Sequence, residues 1–350
     1  MKELGKIQHG FFENTILQNC GYKRNEVSCG PGFGVDVAVI DLPNGLAMAT
    51  ASDPLSLIPS LGLEESAWLS VYLMANDIAT TGHSAMYAQF VLNLPAHFSA
   101  TDFKIYWNYI HMFCKEQQIA ITGGHTGFIE GQNSTIAGGG TLTTIAPKED
   151  ILVSKHAESD NVLLVTKQCA ISSSAILAMS FPETVKSRLG KEIYDQGCEL
   201  FYKTSSVNDA LVAVGLDITN SGITAMHDVT EGGVLGAIYE LAIASGNGAR
   251  IYNDYLPMGE AQKQICNLFS IDPRYCVGAG SMIIAVKRSF EKQVISRLKQ
   301  QNIACAIVGE LTEKEKGIKL IEDNKERDLL YSGKDPYWGA FFKAYQEGWK

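Results

Sequence analysis

The stretch that most constrains the fold lies near the N-terminus, where residues 35–40 and 46–51 alternate apolar and small or polar side chains around Pro43-Asn44-Gly45. Asn-Gly is the strongest two-residue hairpin signal, because a type I′ turn needs positive φ at both central positions. A two-residue loop pairs Pro43 with Leu46, and every further pair then sums to 89, which sets Asp36 opposite Asp53. Directly opposed residues share a sheet face with Cβ atoms about 4.5–5.5 Å apart, and like charges there destabilise the pair unless compensated. A hard divalent cation such as Mg2+ compensates, since it prefers carboxylate, phosphate and water oxygens. Asp36 and Asp53 are therefore the first candidate metal ligands; the alternative is two solvated strand-end aspartates, or a bulge near Pro43 that shifts the register and separates them.

The 350 residues exceed one comfortable core, so two domains are expected, residues 1–150 and 151–350. In the first half, after the hairpin, residues 64–80 repeat apolar side chains at helical spacing up to Gly82. Strands are expected over 86–94, 119–122 and 134–146, and a helix over 102–117. In the second half a strand over 162–165 precedes helices over 172–179 and 191–202. A further helix follows His227-Asp228-Val229-Thr230, with Val234, Leu235, Ile238, Leu241 and Ala242 on one face and Gly246 as its stop. This alternation predicts a layered α/β (α+β) architecture in both halves.

The net charge of −9 and the absence of a dense Lys/Arg run argue against a nucleic-acid partner. No apolar run is long enough to cross a bilayer, and residues 1–20 carry no signal-peptide core, so a cytoplasmic protein with no membrane association is expected. The eight cysteines are scattered without a CxxC pair, which indicates neither a zinc site nor a disulfide framework.

Three further segments carry candidate chemistry. Asn76-Asp77 falls in the last turn of its helix, where the dipole disfavours a carboxylate and a nearby cation would reverse the penalty. That makes Asp77 a third candidate ligand. The clusters Gly30-Pro31-Gly32-Phe33-Gly34 and Gly123-Gly124-His125-Thr126-Gly127 permit close backbone approach to phosphates, or simply turns. At 226–233, His227, Asp228, Thr230, Glu231, Gly232 and Gly233 form a loop-to-helix junction. Its amides favour an anion, while Asp228 as N-cap and Glu231 as its capping-box partner is an equally consistent reading.

Taken together, Gly34-Val35-Asp36-Val37-Ala38-Val39, Ser52-Asp53, Asn76-Asp77-Ile78-Ala79, Gly123-Gly124-His125-Thr126 and His227-Asp228-Val229-Thr230-Glu231-Gly232-Gly233 resemble the aminoimidazole ribonucleotide synthetase-like superfamily. Order and spacing match over nearly the whole chain, with particular similarity to the hydrogenase maturation carbamoyl dehydratase branch. The resemblance implies two α/β domains, the N-terminal strands forming a barrel across a homodimer, with ATP and Mg2+ between the domains. It implies Asp36, Asp53 and Asp77 as metal ligands, and Gly32, Gly34, Asn76, Gly123, Gly124, His125, Thr126, Lys167, Gly232 and Gly233 around the nucleotide. His227, Asp228 and Glu231 would then act on the acceptor.

The chain also departs from the pattern. Val35 replaces the first residue of an Asp-Asp pair, and His125 replaces the aspartate usual in thiamine monophosphate kinases. Ala170 and Ser173 stand for glycines after Thr166-Lys167, and the end, Glu347-Gly348-Trp349-Lys350, lacks the branch's terminal cysteine. The leading expectation is an ATP-dependent enzyme that activates a small or protein-borne substrate by phosphoryl transfer or ATP hydrolysis. The alternatives are a hydrogenase maturation factor acting with a partner that supplies the cysteine, and a noncatalytic nucleotide-binding homologue.

Overall fold

A computed structural model describes residues 5–350. One helical turn, α1 (His9–Phe11), precedes the strands β1 (Val27–Cys29), β2 (Ala38–Asp41) and β3 (Leu46–Ser56). Then come α2 (Leu63–Ala79), β4 (Tyr87–Pro95), α3 (Ala100–Glu116), β5 (Ala120–Ile129) and β6 (Ile136–Pro147). These strands form one sheet of order β1-β2-β3-β6-β4-β5, antiparallel except for β4 and β5, which α3 connects as a parallel pair.

The hairpin forms, but its register differs from the expected one. Leu42 N–H donates to Leu46 O at 2.9 Å, and Ala38 pairs with Thr50 and Asp41 with Ala47, so pairs sum to 88. Proline explains the slip. Pro43 has no N–H to donate, so the ladder closes one residue earlier and the loop takes three residues, with Asn44 at φ 63° and Gly45 at φ 75°. A one-residue slip exchanges the sheet faces. Asp36 accordingly lies before β2 and is not the ladder partner of Asp53, which pairs with Gly140 of β6.

The second half holds β7 (Val162–Thr166), α4 (Ile171–Ser180), α5 (Pro182–Leu189), α6 (Lys191–Glu199), α7 (Val207–Val214), β8 (Ile223–Asp228) and α8 (Gly233–Ser245). It continues with β9 (Gly248–Tyr252), α9 (Glu260–Leu268), β10 (Met282–Val286), α10 (Glu291–Gln300), β11 (Cys305–Thr312), β12 (Ile318–Glu322), β13 (Lys325–Asp328) and α11 (Pro336–Gln346). Its sheet has the order β13-β12-β9-β11-β7-β10-β8. The strands β7 and β10 are buried along their whole length and read as near-continuous apolar runs, and β8, at the sheet's edge, is equally buried although it carries Thr224, His227 and Asp228. The α5 helix had no expectation from periodicity; Pro182 at its first turn starts it.

Alternate residues of β7 serve two cores. Val162 and Leu164 join α7, α10 and α2 on one face, whereas Leu163 and Val165 pack under α8 on the other. The first of these cores is continuous with the N-terminal sheet, because α2 packs on both: Met74, Ala75 and Ile78 share it with Phe90 and Leu142 and with Met226 and Ile284. That shared helix fixes where its last turn, bearing Asp77, meets the end of β8. No helix among the described residues is long and apolar enough to cross a membrane.

Candidate functional site

Three segments far apart in sequence deliver carboxylates to one point. Asp36 lies on the loop before β2, Asp77 in the last turn of α2 and Asp228 at the end of β8, with one oxygen from each inside a sphere where all lie within 4.8 Å of one another. The Asp36 loop approaches because residue 34 is glycine: at φ 71°, a β-carbon there would stand 2.3 Å from the carbonyl oxygen of Glu240 in α8. Asp228 Oδ2 is buried and has no hydrogen-bond partner among the described residues.

The electrostatics fit a site built for a cation. Burial pushes Asp228 up to about 7, with Asp36 adding repulsion that His227 and Lys6 partly offset. Burial likewise holds Asp77 well above the usual carboxylate range, reinforced by Asp228, Asp53 and Asp36. Asp53 is not among the three clustered aspartates, yet its field reaches Asp77, and burial raises its own carboxyl to about 6.

Behind the cluster runs a chain of alternating charge. His227 Nδ1 meets Asp36 Oδ1 at 2.7 Å and Nε2 meets Glu240 Oε2 at 3.4 Å, while Glu240 Oε2 lies 3.6 Å from the ammonium of Lys6. Burial opposes the imidazolium, but Asp36 and Glu240 outweigh it and raise His227 to about 10. With both ring nitrogens engaged, His227 orients Asp36 from behind, and proton abstraction is not open to it in this arrangement. Lys6 was missed in the sequence. Its only sequence cue is Gly5, because a lone lysine near a chain end is otherwise unremarkable.

The other expected residues divide. Glu231 accepts the backbone N–H of Lys6 and the indole N–H of Trp338, so it caps nothing. The residue before α8 is Gly232 in the left-handed region, which displaces the capping-box reading of Asp228 and Glu231. Gly233 is required by packing, since a β-carbon would stand 2.5 Å from the carbonyl oxygen of Arg274. Gly32 sits beside Val35 and the Lys155 stem. Both ends of the buried Asn76 amide are used across the two halves, donating to Thr204 O at 2.9 Å and accepting from Ser206 N–H at 2.7 Å.

Lys167 is likewise occupied: its ammonium meets Asp209 at 2.9 Å, Ser205 O at 2.7 Å and Gly280 O at 2.8 Å. The two carbonyls take hydrogen bonds from the ammonium and Asp209 pairs with its charge. Ala170 holds φ 56°, ψ 33°, the left-handed conformation that glycine adopts without penalty. Gly123, Gly124, His125 and Thr126 lie inside β5 instead of on a loop after a short strand. There Gly124 permits close strand pairing, as a β-carbon would stand 1.8 Å from Phe90 O. β5 flanks a groove lined by Ser52, Asp53, Gln89, Val91 and Gly138–Thr141, because Gly123 pairs with Gln89 and His125 with Val91.

Comparison with known proteins agrees with this architecture. Residues 34–145 match the model of the AIR synthase related protein, N-terminal domain, and residues 158–321 that of the C-terminal domain. A selenide, water dikinase of Methanococcus maripaludis is 27% identical over 321 residues, covering 84% of this chain and 89% of that protein. Among solved structures, a chain of the HypE–HypF complex superposes with a TM-score of 0.73 at 19% identity, covering 91% of this chain and 99% of its own. A ThiL protein complexed with AMPPCP and TMP gives 0.72 at 14% identity, covering 95% and 98%. At these identities the structural likeness establishes the fold.

Proposed function

The chain belongs to the AIR synthase related family, and from that premise we propose that it is a Mg2+-dependent, ATP-using enzyme that activates a small or protein-borne substrate by phosphoryl transfer. The observation that carries this reading is the unpartnered, buried Asp228 Oδ2 facing Asp36 and Asp77. An orphaned carboxylate oxygen among like charges costs free energy unless a cation completes it. Asp36, Asp77 and Asp228 would hold Mg2+, and Asp53 adds negative field from β3. When bound, the ion neutralises phosphate charge and orients the terminal phosphoryl group.

The chain's own residues supply the positioning. His227 holds Asp36 aimed at the cluster through the 2.7 Å contact, and Glu240 holds His227 from the other side. The shared α2 core keeps Asp77 in reach of Asp228. Isothermal titration of ATP with and without Mg2+ tests the reading: binding that depends on Mg2+ is expected, and its absence in the intact protein defeats the proposal.

A second reading rests on the likeness to a chain of the HypE–HypF complex: a hydrogenase maturation role in which a partner supplies an acceptor cysteine. The last cysteine here, Cys305, lies in β11, and Lys350 O accepts from Thr184 N–H at 2.7 Å. Mass spectrometry of a partner cysteine after incubation with ATP and a carbamoyl donor distinguishes the readings.

A further inference from the structure

Both end segments of the chain lie outside the family-matched residues 34–145 and 158–321, and they converge on one side chain. Glu231 Oε2 accepts the backbone N–H of Lys6 at 2.7 Å, and Oε1 accepts the indole N–H of Trp338 in α11 at 2.9 Å. Gly5 makes the first contact possible, because a β-carbon there would stand 2.8 Å from Glu231 Oε2 and 3.5 Å from Trp338 Cδ1. Next to it, Asp335 accepts from Gly232 N–H and from Tyr337 N–H, each at 2.7 Å, so the α11 N-terminus is pinned to the same loop.

The junction has a consequence at the aspartates. It brings the Lys6 ammonium to 3.0 Å from Thr230 Oγ1 and 3.6 Å from Glu240 Oε2, close enough for its charge to act on Asp53, Asp77 and Asp228. An ammonium has three donors. Thr230 takes one, Glu240 stands beyond hydrogen-bond length, and the side chain is half-exposed. Asp36, Asp53, Asp77, Asp228, Glu231 and Glu240 are set against Lys6 and His227, a negative field that draws the ammonium in before any ligand arrives.

We propose that Glu231 is a clasp joining the N-terminal segment to α11, and that the clasp presents Lys6 as a cationic ligand for the phosphate of a bound polyphosphate. This rests on the nucleotide reading. Glu231 and Trp338 are positioning residues; Lys6 is the binding residue. A carboxylate is required at 231 because it accepts two donors at once, whereas glutamine has a single acceptor oxygen and breaks one arm.

The test is titration calorimetry of the full chain with a β,γ-methylene ATP analogue and Mg2+. No binding by the unaltered protein overturns the nucleotide reading itself. With that binding in place, Lys6→Met is expected to weaken affinity by about 10- to 100-fold, the loss of one charge-assisted hydrogen bond. Lys6→Arg should restore it to within roughly threefold. Glu231→Gln and Trp338→Phe should each weaken affinity by about 5- to 10-fold, and combining either with Lys6→Met should add little, since all three act through one contact. Hydrogen exchange at residues 6–9 should slow on binding in the unaltered chain and not in Trp338→Phe. Wild-type affinity in Lys6→Met, or full additivity of Trp338→Phe with Lys6→Met, overturns the clasp.

Discussion

Asp228 illustrates how a buried, unpartnered carboxylate acts against the fold when no cation is present. Its carboxyl sits near 7 and that of Asp53 near 6, both above the ordinary value of about 4. A raised folded-state pKa means that the stabilising proton is held below the unfolded value and lost as pH rises through the folded one. The metal-free protein should therefore lose the contribution of these groups between about pH 4 and 7. Thermal melts in chelator should show Asp228→Asn gaining on the wild type as pH rises. Added Mg2+ should reverse that order, because the variant lacks the ligand, and a constant gap across pH would refute the site electrostatics. His227 is the opposite case: replacing it with Phe leaves Asp36 and Glu240 buried without their shared cation. A loss of about 3–5 kcal/mol is expected in urea denaturation, as for breaking a buried ion pair from one side.

At the scale of elements, the sequence exposed identity better than register. The hairpin, the α2 helix carrying Asp77 in its last turn and the Gly246 stop of α8 all follow from local pattern. The register did not, because a two-residue Asn-Gly loop needs an N–H at position 43 that proline lacks, and the ladder closes at Leu42 instead. Nor did β5, whose glycines read as a loop although Gly124 is there to let β4 and β5 approach. Gly124→Ala should therefore cost more than about 2 kcal/mol, with faster hydrogen exchange confined to β4 and β5. Gly123 has nothing within 4 Å of a built β-carbon, so Gly123→Ala should stay within about 1 kcal/mol. Lost nucleotide affinity in Gly123→Ala at unchanged stability would assign that position to the ligand; unchanged affinity would leave it to the strand alone.

For the whole molecule, the N-terminal sheet presents an open face on which Tyr87 and Val91 are 39% and 43% exposed, beside Ser52, Gln89 and Thr141. We expect a homodimer to cover that face. Light scattering should give twice the chain mass and Val91→Glu the monomer, while a monomeric wild type at tens of micromolar would refute it. By itself the sequence determined what short-range forces determine: the α/β alternation, the helices around Asp77 and after Asp228, and residue types suited to magnesium and phosphate. Only the tertiary structure decided which carboxylates meet. It gathered Asp36, Asp77 and Asp228, left Asp53 to one side, occupied Asn76 and Lys167 internally, and brought in Lys6. Periodicity and turn chemistry act over a few residues. The convergence of positions 36, 77 and 228 depends on α2 packing against both sheets at once, a constraint that no local window contains.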